Sequence, residues 1–131
     1  MTRLWTAFAV CALLMLSARL DGHHNFADFY LESDTIEVDG EVVEFQYKNP
    51  HSWIYVQAPD PFGAQKIFAG EWVSVARLER DGITKDFIRA GDRLRMWVSP
   101  NRNPNDNRVR IKRMERRSDK WKWGANRTDT R

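Results

Sequence analysis

Three histidines, and a basic stretch interleaved with tryptophan, are the features of this 131-residue chain whose types and spacing point to chemistry. His23 and His24 are adjacent, and His51 follows in an Asn49-Pro50-His51-Ser52 segment. Imidazole suits copper, nickel and zinc, and a histidine that opens a mature chain chelates through its amine and its own ring nitrogen. Processing after Gly22 creates such a terminus. Processing after Asp21 gives Gly22-His23-His24 instead, whose third-position histidine can wrap Cu(II) through backbone nitrogens. The expected metal site is His23, His24 and His51, with copper favoured because Cu(II) heads the affinity order of nitrogen sites. The plainer reading is a solvated His pair and a histidine that serves only its turn.

A second constellation runs through residues 108–123. Arg108, Arg110, Lys112, Arg113, Arg116, Arg117, Lys120 and Lys122 interleave there with Trp121 and Trp123. Basic groups neutralise phosphates or carboxylates, and indole faces stack on bases or sugars. The alternative function is therefore salt-sensitive contact with a polyanion: an anionic polysaccharide, a lipid surface or nucleic acid. The candidate residues are Arg110, Lys112, Arg116, Arg117, Lys120, Trp121, Lys122 and Trp123. Against it stands the ordinary reading of a solvated strand face and a sticky tail.

Other chemistries find no support. Acidic residues are scattered, no serine sits in a nucleophile elbow, and no glycine-rich phosphate loop exists. The one cysteine, Cys11, lies in an apolar leader, so disulfides and cysteine-ligated zinc are ruled out for the rest. No enzyme activity is expected.

The leader bears on compartment. One basic residue, Arg3, precedes an apolar run over residues 4–16 that ends at Ser17-Ala18. That is the architecture of a signal-peptide helix, too short for the roughly 20 residues a membrane-crossing helix needs. An exported protein, periplasmic or secreted, is expected, with the cut between 18/19 and 22/23; retention as an anchor is the weaker alternative. A metal ion or an anionic envelope component is the expected partner, with no membrane span after processing.

The net charge of +3 hides an asymmetry. Residues 23–101 carry 8 Lys/Arg against 13 Asp/Glu, and residues 102–131 carry 11 against 4. An acidic body thus precedes a basic end.

Strands must position these groups. Residues 35–47 alternate apolar and polar side chains, with a phase change at Gly40 that predicts a bend or bulge. Residues 52–58 resume a β-branched and aromatic run after the Asn-Pro turn, and residues 66–72 give a third strand. A short amphipathic helix over residues 73–80 stops at Asp81-Gly82. Residues 93–99 and 108–115 supply two further strands around a polar loop, residues 101–107, which is expected to be mobile, as is the chain after Gly124. The order β-β-β-α-β-β is that of an OB-fold, so the expectation is an all-β chain with one short helix and a five-stranded barrel over residues 23–116. A basic tail over 117–131 follows. The expected interior is Ile36, Val38, Val43, Phe45, Trp53, Tyr55, Leu94, Met96, Val98, Val109 and Ile111.

His23-His24-Asn25-Phe26, Asn49-Pro50-His51-Ser52-Trp53-Ile54-Tyr55 and Ala90-Gly91-Asp92-Arg93-Leu94 together resemble the DUF6152 family of small exported bacterial proteins of unknown function. The resemblance covers residues 23–114. The family pattern begins His-His-Ser-Phe, so Asn25 departs from it, and the Trp-rich tail lies outside. The resemblance implies an exported β-barrel and carries over no activity and no site residue.

Overall fold

The computed structural model of the protein describes residues 25–124. The leader, His23, His24 and the chain beyond Gly124 lie outside the described residues. The elements are α1 (Phe26–Phe29), β1 (Ile36–Gln46), β2 (Trp53–Pro59), β3 (Gln65–Glu71), α2 (Val75–Arg80), β4 (Arg93–Ser99), β5 (Arg108–Arg116) and β6 (Lys122–Trp123). The strands form one sheet of order β3-β2-β1-β4-β5-β6, and a parallel pairing of β3 with β5 closes it on itself. Strands β1 to β5 therefore close into an OB-like barrel, as the strand order predicts.

β1 belongs to both halves of the barrel. Its first half, from Ile36 to Glu41, pairs with β4, and its second, from Glu41 to Gln46, pairs with β2. Gly40 sits at this handover. A Cβ there would lie 2.1 Å from the Gln57 carbonyl oxygen and 2.8 Å from the Ala58 side chain, so the close approach of β2 requires glycine. The bulge itself falls three residues later, between Val42 and Glu44, not at Gly40. It turns Val42 into the core and leaves Val43 exposed, which corrects the expected inward Val43.

β2 has the opposite phase to the one expected. Ile54, Val56 and Ala58 are buried, whereas Trp53 and Tyr55 are half-buried. A small barrel interior takes compact aliphatic chains, and the two large rings lie on the other face. β5 also changes phase: Val109 and Ile111 point inward, then the register shifts and Met114 rather than Arg113 takes the next inward place. The inward positions of β4, Leu94, Met96 and Val98, are buried as expected.

Helix α2 seals one end of the barrel with Leu78, which is fully buried. The Ser74 hydroxyl caps it by accepting from the Arg77 N–H, and Gly82, at φ 75°, follows its stop. The sheet also continues past Arg116. A turn closed by the Arg116 N–H donating to the Trp121 carbonyl leads into β6, which pairs with β5. Trp121 packs edge-on against Phe87 and Trp123 against Trp72. The domain thus extends beyond the expected boundary at 116, because these two indoles find apolar partners on the barrel.

Replacing Gly40 with alanine is expected to destabilise the protein by about 1–3 kcal/mol, the usual cost of overpacking a filled site. Replacing Phe62, which is 95% exposed, with alanine should change stability by less than about 0.5 kcal/mol. Paired urea melts of the two variants check both.

Candidate functional site

The end of the barrel where the β1–β2 turn meets the segment from β3 into α2 carries a linked set of polar and aromatic side chains. Ser52, fully buried, anchors the β1–β2 turn: its N–H donates to the Val73 carbonyl, and its carbonyl accepts from the Trp72 N–H. The Asn49 Oδ1 accepts from the Val75 N–H, tying the same turn to the start of α2. His51 is held between these anchors. Its Nδ1 lies 2.5 Å from Glu71 Oε1, and the Tyr30 hydroxyl donates to Glu71 Oε2, also at 2.5 Å. Glu71 is the last residue of β3, set opposite Trp53 by the antiparallel pairing with β2 and beside Arg110 by the parallel pairing with β5.

Donor logic sets the histidine's state. An ionised carboxylate only accepts, and its second oxygen is already taken by a hydroxyl, so His51 Nδ1 must carry the proton shared with Glu71. In the neutral ring this leaves Nε2 with a free lone pair. Tyr30 is 3% exposed. Burial first, and then the hydrogen bond to Glu71, push its phenol well above the ordinary value of 10.0.

Phe26 of α1 stacks on the His51 ring, with centroids 5.3 Å apart, and the Arg110 guanidinium lies over the Phe26 ring at 3.8 Å from its centroid. Arg110 also pairs with Glu32. Asn25 starts α1 by accepting from the Ala27 N–H, and Tyr30 leaves it through a bridge to Asn101. Beside this stack lies a cleft of about 380 Å³, bounded by α1, the β1–β2 turn and the loop after β4. That loop, residues 101–107, is braced by side-chain oxygens of Asn101, Asn103 and Asp106, which accept from backbone N–H groups two residues on.

Of the expected metal ligands, only His51 lies among the described residues, and no group of three His, Cys, Asp or Glu side chains suited to a metal occurs among them. The expected polyanion residues do not form one open face. Lys112 donates to the Glu32 and Asp34 carbonyls and to the Thr35 hydroxyl. Arg116 pairs with Asp119 at 2.8 Å and donates to the Phe87 carbonyl, and its guanidinium holds the Asp119 carboxyl down at about 2. Arg117 pairs with Asp39 and Lys120 with Glu115. The Trp123 indole N–H donates to Asp81. Lys122 is exposed on β6.

Tyr30 and Glu71 escaped sequence reasoning because 41 positions separate them and neither sits in a recognisable motif. Phe26 stood next to the histidine pair, but nothing local foretold that its ring would meet His51.

The chain matches the model of DUF6152, a family of unknown function, over residues 12–110, and it belongs to that family. No curated protein and no solved structure matches it. The matched span includes Phe26, Tyr30, His51 and Glu71 and stops before the two C-terminal tryptophans.

Tyr30→Phe is expected to cost about 1 kcal/mol or more at pH 7, because it leaves one partly buried carboxylate oxygen without its donor. The raised phenol pKa means that this contribution is complete below pH 10.0 and fades as pH climbs above it. Denaturant melts at pH 7 and pH 11 should therefore show the gap between wild type and Tyr30→Phe narrowing at the higher pH.

Proposed function

We propose that this DUF6152 protein is an exported, non-enzymatic binding module that holds Cu(II), or a similar transition metal, between His51 and the histidines that precede α1. One observation carries the reading: His51 is oriented through Nδ1 by the Glu71–Tyr30 relay, which leaves Nε2 as a free ligand. Metal-binding histidines are commonly fixed in this way by a carboxylate on the other ring nitrogen, which sets the tautomer and raises ligand basicity. Phe26 stacks on His51, and His24 is two positions upstream of it. Two residues of chain span at most about 7 Å and three at most about 11 Å, so a ligand role for His24 or His23 beside His51 is compatible with chain length.

The same relay resembles a base awaiting a nucleophile. Among the described residues that line the cleft there is no serine, threonine or cysteine, which supports binding over acyl transfer. The polyanion reading is the second choice, because most of its cations already hold partners within the fold.

Calorimetric titration of the exported protein with Cu(II), after its first residue has been sequenced, tests the proposal. His51→Ala and His23→Ala should each weaken binding strongly, and Glu71→Gln by about 10–100-fold, the usual effect of losing such a supporting carboxylate. Affinity should fall as the solution is acidified, because protons compete with the metal for imidazole. Equal and weak binding in wild type and all variants ends the reading. Heparin binding that disappears with salt and with Lys122→Ala, in a chain that ignores copper, would favour the second.

A further inference from the structure

The cleft beside His51 has an unequal balance of hydrogen-bonding groups. Its side-chain carboxylate and amide oxygens are engaged within the fold, leaving His51 Nε2 as the open acceptor: both Glu71 oxygens are occupied by His51 and Tyr30, Asn49 Oδ1 accepts from the Val75 N–H, and Asn101 Oδ1 accepts from the Asn103 N–H. Its donors are not engaged. Among the described residues nothing accepts from the Lys48 ammonium, the Asn49 and Asn101 Nδ2 groups or the Trp53 indole N–H, and all four residues line the cleft. Donors without acceptors in a concave site call for a ligand that brings acceptors, and an unpaired ammonium calls for one that brings negative charge.

Apolar surface supplies the rest. Phe29, on the four-residue α1, is 49% exposed and Trp53 is half-buried, and both line the cleft. Large rings left partly open beside a cavity of about 380 Å³ suit a flat apolar body, at the lower end of the usual size range for small-molecule sites. A water-filled cleft would satisfy the donors but gain nothing from the rings.

We infer that this cleft binds a small organic anion with a planar apolar body, of the aromatic carboxylate class. Its carboxylate meets Lys48 and the Asn49 and Asn101 amides, and its ring packs on Phe29 and Trp53. The inference does not rest on the metal reading, since none of these contacts uses His51 Nε2.

Titration of the full ¹⁵N-labelled chain with benzoate and with indole-3-acetate, in the presence of EDTA, tests it, with benzamide and indole-3-acetamide as uncharged controls. Either acid should shift the Asn49 and Asn101 side-chain amide signals and the Trp53 indole signal saturably. The matching amide should bind at least about tenfold more weakly, the worth of a charge-assisted hydrogen bond. Lys48→Gln, a surface change that leaves the fold intact, should weaken the acid about tenfold and leave the amide unchanged. No saturable shift at these three residues with either acid, or equal affinity for acid and amide, overturns the inference. Because EDTA is present, a failure here leaves the copper titration to be judged on its own result.

Discussion

Three residue pairs, Ala69 with Arg108, Gly70 with Val109 and Glu71 with Arg110, join β3 to β5 in parallel, and the rest of the molecule depends on them. Without this seam the chain is an antiparallel sheet with two open edges, and its inward aliphatic side chains have nothing to pack against. The seam tolerates no extra bulk: a Cβ on Gly70 would lie 2.8 Å from the Ile111 side chain. It also has chemical consequences, because the same register that buries Val109 and Ile111 sets Glu71 beside Arg110 at the barrel mouth. The carboxylate that organises His51 and the guanidinium that covers Phe26 are thus neighbours by virtue of barrel closure.

Folding redistributes the charge asymmetry of the chain. Arg95 and Arg117 converge on Asp39, Arg110 meets Glu32, and Arg116 reaches both Asp92 and Asp119. Most of these groups are at least partly exposed, so each pair contributes at most about 1 kcal/mol and screens with salt. Their larger effect is on the surface potential. In a basic segment that reads in isolation as a polyanion arm, Arg108, Arg110, Arg116, Arg117 and Lys120 are paired with carboxylates of the same chain.

The stack of Arg110, Phe26 and His51 couples the segment before β1 to the barrel. A cation over a ring is worth roughly 0.5–1 kcal/mol at such a site, and the Tyr30–Glu71 bond and the Tyr30–Asn101 bridge reinforce it. A helix of only four residues has little stability of its own, so α1 holds its place through these contacts. Its position in turn closes one wall of the cleft and carries the chain past His51.

Element order and barrel class were legible in the sequence because they follow from period-two hydrophobicity, turn residues and one short amphipathic stretch, all of which are local. The inward face of β4 was legible for the same reason. The faces of β2 and the later parts of β1 and β5 were not. Bulges between Val42 and Glu44 and opposite Trp97 and Val98 shift the phase of an alternation that by itself has no absolute origin, and which ring stays outside a small barrel is a matter of available volume. His51 stood out by composition alone. Its partners did not, because Glu71 comes beside the turn through the β2–β3 register, 20 positions away in the chain, and Tyr30 meets Glu71 from 41 positions away, contacts that no local pattern encodes. The basic residues of β5 and beyond could likewise be counted from the sequence, but only the tertiary structure decided that Arg108, Arg110, Arg116, Arg117 and Lys120 pair with acidic groups of the same chain.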